Sequence, residues 1–509
     1  MKLKHVLKNL PFESNLPKYL ENLEIIGIAD NSMEVADNFL FIAVKGIHTD
    51  GHDYIEEAIA NGAAIIIGEK PMSYKTSIPY LQVDNSRKAV GQIAKNFYNN
   101  PAANKTMVGI TGTNGKTTTS YLIKHLLENS GKTCTLIGTI ENIINGEVFH
   151  SYNTTPSALV LQKILAESKD EVVIMEVSSH GLSQHRVEGI EFDYCLFTNL
   201  DHEHLDYHET MDNYFQTKLL LFDYLKKHGK AIVNSDNPWG EKLANILKMR
   251  RIPVYSIGKA PANQMQIRSF NNSTIEFSDN NDLIQMKSPI AGVHNMYNIL
   301  MAYTCATLFG INKSAIMSSL SKFRGVNGRF EMFKHTNGAT IIVDYAHTQD
   351  AVLHCLTTAK QFSANHITHI FGFRGDRDIS KRKEMLTVSS ILSDRYILTF
   401  DDLNSMSESA MTQQLNQLQT NYGNEKGRII TDRTLAIQWA MENSHAQDWI
   451  LITGKGHEKY KQLFQLPTES DKETVLYVME QNYRKHFQDD DALLSQGTME
   501  DEDFEIYPN

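Results

Sequence analysis

Short apolar runs, polar glycine-containing turns and longer amphipathic stretches alternate along most of this chain. That alternation predicts strand–loop–helix units packed in α/β layers. Residues 38–44 and 63–68 read as buried strands, joined by the polar loop 45–54 and a helix through Ile55, Ala58 and Ile59 that ends at Gly62. Tyr98-Asn99-Asn100-Pro101-Ala102 carries the turn signals of a linker. Beyond it, runs at 107–110, 172–177, 194–198 and 231–233 each end in polar residues: a Gly/Thr-rich turn, Ser178-Ser179-His180, Asn199, and Asn234-Ser235-Asp236. Ligands of doubly wound sheets lie beyond the carboxyl ends of the strands, so these polar ends are expected to share one crevice. Glu176 stands within an apolar run, where an acid is costly to bury unless paired or bound to a metal.

The first of these turns is Thr111-Gly112-Thr113-Asn114-Gly115-Lys116-Thr117-Thr118, followed by a helical pattern. It reads as a phosphate cradle. Glycines let the backbone approach a polyphosphate, the helix start points its amides inward, Lys116 adds a cation, and the Thr117 hydroxyl is suited to Mg²⁺. The spacing departs from the literal GxxxxGK[ST] pattern, because Ile110 occupies the first glycine position. The 201–208 segment, Asp-His-Glu-His-Leu-Asp-Tyr-His, is dense in ligand-type side chains but fits no zinc spacing, so it is expected to lend one or two groups to an active site. An amphipathic helix over 214–225 then sets Lys218 among leucines, where a lysine snorkels to solvent or is chemically special.

A chain of 509 residues exceeds one core and predicts two to four domains. Four scattered cysteines without a CxxC pair argue against a disulfide framework or zinc ribbon. The formal charge of −11 is lopsided: residues 487–509 hold eight acids and no Lys or Arg, the composition of a solvated, disordered tail. No basic tract suggests nucleic acid, no apolar run suggests membrane insertion, and a cytoplasmic monomer is expected.

Several ordered motifs then carry a resemblance. Residues 111–117, Glu176-Val-Ser-Ser-His180, Thr198-Asn-Leu200 with His204–His208, Gly328-Arg-Phe-Glu331, Asp344-Tyr-Ala-His347, Gly375-Asp-Arg-Asp378 and Gly454-Lys-Gly-His-Glu458 resemble the Mur ligase family of ATP-dependent amide-forming enzymes. The resemblance is nearest to members that add the third peptide residue to UDP-N-acetylmuramoyl-L-Ala-D-Glu. It implies an α/β protein of three domains: a UDP-sugar-binding domain (1–100), a central P-loop ATPase of mainly parallel sheet (101–330) and a C-terminal, Rossmann-like amino-acid-binding domain (331–486), with 487–509 as the tail. It also implies ATP and Mg²⁺ as cofactors, an acyl-phosphate intermediate, and the UDP-muramoyl dipeptide and a free amino acid as partners.

Residue by residue, the resemblance places Gly112, Thr113, Asn114, Gly115, Lys116, Thr117 and Thr118 on the ATP phosphates, Asn295 and Asn298 on the adenine side, and Arg329 and Asp344 on ATP from the hinge and third domain. Thr117, Glu176, His204 and a carbamylated Lys218 serve as metal ligands, with Lys116, Glu176, His204 and Lys218 catalytic. Asn31, Thr154, Thr155, Ser178 and Arg186 are expected to bind the UDP-sugar peptide. Arg382, Asp401, Asp402, Asn404, Gly454 and Glu458 are expected to bind the amino acid, while Asp432 and Arg433 match a further position of less certain role.

The departures concern the substrate. Asp30-Asn31-Ser32 lacks the arginine of the family's Asp-Ser-Arg turn, and Phe373-Arg374 replaces a small-residue pair. Asp401-Asp402-Leu403-Asn404 stands where diaminopimelate-using members carry Asp-Asn-Pro-Arg, so Asn404 replaces the arginine that clamps a distal carboxylate. With Asp401, Asp402 and Glu458 nearby, a distal ammonium is expected, which favours L-lysine over meso-diaminopimelate. A ligase acting on another acid, of folylpolyglutamate or cyanophycin type, or a specialised paralogue, is the alternative.

Overall fold

The computed structural model describes all residues except 11–15, 47–48, 72–76, 272, 280–281, 376–379 and 482–509, together with the side chain of Ser380. The expectations for the acidic tail and for most of Gly375–Asp378 therefore lie outside the described residues. The described strands form three sheets. The first pairs Gly27–Ala29, Phe39–Ile42, Ala63–Gly68 and Tyr80–Gln82 in sequential order, all parallel. The apolar run at 63–68 is a strand over its full length, whereas the helix expected at 55–62 is Ile55–Ala60, preceded by a 3₁₀ turn at Gly51–Tyr54.

The second sheet has 11 strands. At its centre Thr106–Thr111 lies between Val172–Glu176 and Phe192–Phe197, and Cys134–Ile137, Leu225–Asn234 and Val254–Gly258 extend the parallel ladder. Antiparallel pairs close both flanks, Glu141–Ile144 with Glu147–His150 at one edge and Thr274–Asp279 with Asp282–Lys287 at the other, so the sheet is mixed rather than uniformly parallel. Alternate residues of the central strands enter different cores. Val108, Ile110, Ile174 and Leu196 pack in one, with the helices Lys116–Asn129 and Val293–Leu308, while Met107, Val173, Met175 and Phe197 pack in the other. A sheet covered on both faces explains why these strands read as unbroken apolar runs.

The third sheet runs in the order Glu331–Lys334, Thr340–Asp344, Trp449–Thr453, Ile367–Phe373, Arg395–Phe400, Gly427–Ile429, parallel except for its first strand. Inserting the last strand beside Thr340–Asp344 brings Gly454–Glu458 next to the 344–347 loop. Among the described residues no helix is long and apolar enough to cross a membrane.

Arg433 acquires a clear structural place. It is fully buried, gives Nε and Nη2 to Asp471 at 2.6 and 2.7 Å, and donates through Nη2 to the Thr453 carbonyl at 2.9 Å. It thus ties the carboxyl end of the last strand to the 460–474 segment, whose Tyr460 also donates to Asp471. Removing one member leaves an uncompensated buried charge. Asp471→Asn is expected to lower the stability of this domain by about 3–5 kcal/mol in denaturant unfolding, and a change under about 1 kcal/mol would contradict this role.

Candidate active site

The carboxyl ends of the central strands do meet. Asn234 Nδ2 donates to the Thr198 carbonyl at 2.9 Å, Thr198 Oγ1 to the Asn114 carbonyl at 2.6 Å, and the Asn114 amide to Asn199 Oδ1 at 2.8 Å. This ladder holds the phosphate loop from outside. Gly112 and Gly115 adopt φ of +147° and +84°, and a Cβ on Gly112 would stand 1.8 Å from Thr198 Oγ1. No side chain caps the helix that starts at Lys116, so its first amides remain available to an anion. Lys116 folds back across the loop and donates to the carbonyls of Gly112 and Thr113, both at 2.9 Å. Desolvation lowers its pKa, and Arg329 adds to that, against the charges of Glu176 and Glu203.

Glu176 is fully buried at the end of its strand. It accepts from Thr117 Oγ1 at 3.0 Å, from the Thr139 amide at 3.1 Å and from Thr139 Oγ1 at 2.8 Å. All are neutral donors. A carboxylate held this way beside a threonine hydroxyl and a phosphate loop suits a hard cation that takes its remaining ligands from phosphate and water. Among the described residues no three His, Cys, Asp or Glu side chains cluster as a metal site by themselves.

The residues expected at the sugar-peptide side divide. Thr154 Oγ1 lies 3.1 Å from Thr139 Oγ1, and Thr154 and Ser178 both line the cleft. Thr155, by contrast, is fully buried: it donates to the Glu176 carbonyl and accepts from the Ser178 amide, while Arg186 Nη1 grips its carbonyl at 2.7 Å. Thr155 shapes the loop, and its hydroxyl does not face the cleft. Asn31 is exposed in the first domain, where its side chain accepts from the Met33 amide. It does not line the cleft.

Lys218 does not snorkel. It is 1% exposed, donates to the Gly112 carbonyl at 2.9 Å and lies 4.6 Å over the Tyr214 ring. Desolvation, then the charge of Lys116, drives its pKa well below that of an ordinary lysine. The helix bearing it is Met211–Leu219, and the remainder of the expected 214–225 helix is a 3₁₀ segment and the start of a strand. His204, at φ +57°, lines the cleft with a pKa depressed to about 4 by desolvation and by the charges of His180, Lys218 and Lys116 against the pull of Glu203.

Groups from the hinge and the third domain complete the site. Arg329 Nη2 is 3.3 Å from Thr117 Oγ1, and its guanidinium stacks 4.2 Å from the Tyr345 ring. His347 Nε2 lies 2.9 Å from Glu203 Oε1. Burial pushes Glu203 upward, yet this contact and the charges of His204, His347 and Lys116 hold it below the ordinary carboxylate range. Asp344 faces the same cleft, but its carboxylate is taken up by the amides of Phe330 at 2.5 Å and Ala346 at 2.6 Å. It positions the hinge residue Phe330, which has φ +49°. On the opposite wall Asn298 donates to Asn295, which donates to the Ala291 carbonyl. Glu203, Asn295, Asn298, Arg329, Asp344, Tyr345 and His347 line one cleft of about 470 Å³, together with Thr113, Asn114 and Thr118.

Sequence reasoning passed over Glu203, Tyr345 and His347, although each lies inside a stretch it had marked. It also missed His294 and His354, whose rings stand 5.7 Å apart in the cleft wall. Burial keeps His294 neutral, and its Nδ1 has no partner, so that side chain presents hydrogen-bonding capacity beside Asn295.

The expected amino-acid site corrects the charge argument. Asp401 and Asp402 are buried, and Lys455 reaches Asp402 Oδ1 at 2.6 Å and Asp401 Oδ1 at 3.4 Å, with Lys461 on Asp402 Oδ2 at 3.1 Å. Glu458 is ion-paired with Arg374. These acids are already matched by cations of the same chain, so none of them is the unpaired acid on which the lysine expectation rested. Asn404 turns its amide onto the Gly375 carbonyl at 2.7 Å, Arg382 donates to Gln414 and to the Arg374 carbonyl, and Gly454 packs against Asp401 at φ +112°.

Three family models match the chain: the Mur ligase family catalytic domain over residues 24–98, the Mur ligase middle domain over 110–306 and the Mur ligase glutamate ligase domain over 328–456. A UDP-N-acetylmuramoyl-L-alanyl-D-glutamate–2,6-diaminopimelate ligase of Caldanaerobacter subterraneus subsp. tengcongensis is 35% identical over 91% of this chain and 95% of its own. A protein of the same name from Fusobacterium nucleatum subsp. nucleatum is 38% identical over 85% of this chain and 89% of its own. A solved structure of another ligase of that name superposes with a TM-score of 0.68 at 25% identity, covering 92% of this chain and 98% of that one. With the phosphate loop, the buried Glu176 and the third-domain groups on one cleft, the chain belongs to the Mur ligase family of ATP-dependent, amide-bond-forming enzymes.

Proposed function

We propose that this enzyme joins 2,6-diaminopimelate, as the third residue of the peptide, to UDP-N-acetylmuramoyl-L-Ala-D-Glu. The observation that carries this reading is the single cleft in which the phosphate loop and Glu176 face Thr154 and Ser178 on one side and Arg329 and His347 on the other. The relatives' names and the matched charges of the acceptor region favour diaminopimelate and displace the lysine expectation, which rested on unpaired acids.

A carboxylate is a poor electrophile. In the proposed reaction its oxygen attacks the γ-phosphorus of ATP, ADP leaves, the incoming amine attacks the resulting acyl phosphate, and the amide forms as phosphate and one proton depart. The uncapped helix start and the Lys116 ammonium, once drawn from the Gly112 and Thr113 carbonyls, hold the transferred group, and Arg329 approaches it from the hinge. Thr117 and Glu176 would hold one Mg²⁺ and His204 would help hold a second, which when bound would neutralise charge on the phosphates. The neutral His204 ring leaves a nitrogen lone pair free for that role.

Lys218 fits the same scheme as a carbamate. Burial drives the pKa of its amine well below that of an ordinary lysine, which raises the fraction of uncharged amine, and that form attacks CO₂, forming an N–C bond and releasing one proton. The product would supply a carboxylate that, with His204, could orient the second cation.

Lys116→Ala is expected to lower kcat/KM by about a thousandfold or more with an unchanged melting temperature. Near-normal turnover in the folded variant would remove the ATPase assignment. Lys218→Ala is expected to be almost inactive and partly restored by a short carboxylic acid, and an active alanine variant would exclude the carbamate. In a competition assay, kcat/KM for meso-diaminopimelate should exceed that for L-lysine by at least about tenfold. The reverse order would overturn the proposed acceptor.

A further inference from the structure

Arg374 follows the strand Ile367–Phe373 and is the point on which the acceptor region converges. Its Nη2 pairs with Glu458, its Nε lies 3.8 Å from Asp401 Oδ2, and its guanidinium is 6.0 Å from the centre of the Tyr345 ring, which also stacks on Arg329. Arg382 holds its carbonyl at 2.9 Å, and Asn404 holds the carbonyl of the next residue, Gly375. Positions 374 and 404 are therefore adjacent in space although far apart in sequence. The side chain is one-quarter exposed, so it is neither a surface cation nor a sealed core pair.

We propose that Arg374 is the residue that selects the distal end of the amino acid, by taking its distal carboxylate while Glu458 takes the distal ammonium. This rests on the acceptor reading above. The physical argument is charge exchange. The Arg374–Glu458 pair is one cation and one anion, and the far end of diaminopimelate is also one cation and one anion. Swapping partners gives guanidinium–carboxylate and carboxylate–ammonium pairs and leaves no desolvated charge alone. Lysine brings only the ammonium. It satisfies Glu458 but strips Arg374 of its nearest anion, leaving Asp401 at 3.8 Å, an acid already shared with Lys455. Discrimination thus comes as much from the penalty on the wrong ligand as from the contact with the right one. The guanidinium absent at Asn404 is supplied from the neighbouring strand end.

L-lysine differs from meso-diaminopimelate by the distal carboxylate alone, so the two amino acids and the two enzyme forms make a double-mutant cycle. Steady-state kinetics at saturating ATP and UDP-muramoyl dipeptide would be measured for the wild-type enzyme, Arg374→Ala and Arg374→Lys. Arg374→Ala is expected to lower kcat/KM for meso-diaminopimelate by about thirtyfold or more, chiefly through KM, and to raise that for L-lysine, whose penalty the substitution removes. Arg374→Lys should recover part of the loss. Equal losses for both amino acids, or an unchanged ratio, would overturn the proposal. Thermal melts would accompany each variant, and if Arg374→Ala fails to fold, the ratio in Arg374→Lys decides: a ratio equal to wild type refutes the assignment. A wild-type enzyme without preference for diaminopimelate removes the acceptor reading and this inference together, whereas a preference that survives in Arg374→Ala removes the inference alone.

Discussion

A carboxylate fully buried at the end of a central strand is the constraint around which the site is built. Glu176 cannot be solvated, and the structure answers with two threonines, Thr117 from the helix that opens the phosphate loop and Thr139 from the neighbouring strand end. Those contacts fix the helix start relative to the sheet, and the Asn234–Thr198–Asn114 ladder fixes the loop from its other side. The cradle is preorganised because its polar neighbours spend their own hydrogen bonds on its outer face, leaving the uncapped helix amides for a ligand.

Charge balance then joins the domains. Lys116, Lys218 and Arg329 crowd a desolvated cleft with Glu176 and Glu203. Arg329 meets Thr117 from the hinge and His347 meets Glu203 from the third domain, so both contacts reach this group. Interdomain arrangement and active-site electrostatics are thus one problem: withdrawing the third domain would remove a cation from the phosphate loop and the hydrogen-bond partner of a buried acid.

The layered α/β fold and the crevice at the strand ends were legible because periodicity reports burial on both faces, and because Gly112, Gly115, Lys116 and Thr117 keep their spacing over a few residues. What sequence could not show was pairing. Asp401, Asp402 and Glu458 read as free negative charge, but Lys455 and Arg374 reach them through the fold, and Lys455 lies 53 residues from Asp402. Thr155 read as a ligand contact and proved to be a buried loop fastener, since side-chain direction at an irregular loop leaves no periodic trace. Arg433 had no evident role until Asp471 appeared opposite it.

The central claim is that the substrate carboxylate is activated by phosphorylation in the cleft beside Glu176. Isotope transfer tests it most directly, using UDP-N-acetylmuramoyl-L-Ala-D-Glu with both oxygens of the reacting carboxylate replaced by ¹⁸O, and mass analysis of the phosphate released on ligation. An acyl phosphate requires that each turnover move one labelled oxygen from the carboxylate to phosphate. Amide formation with unlabelled phosphate would contradict the account.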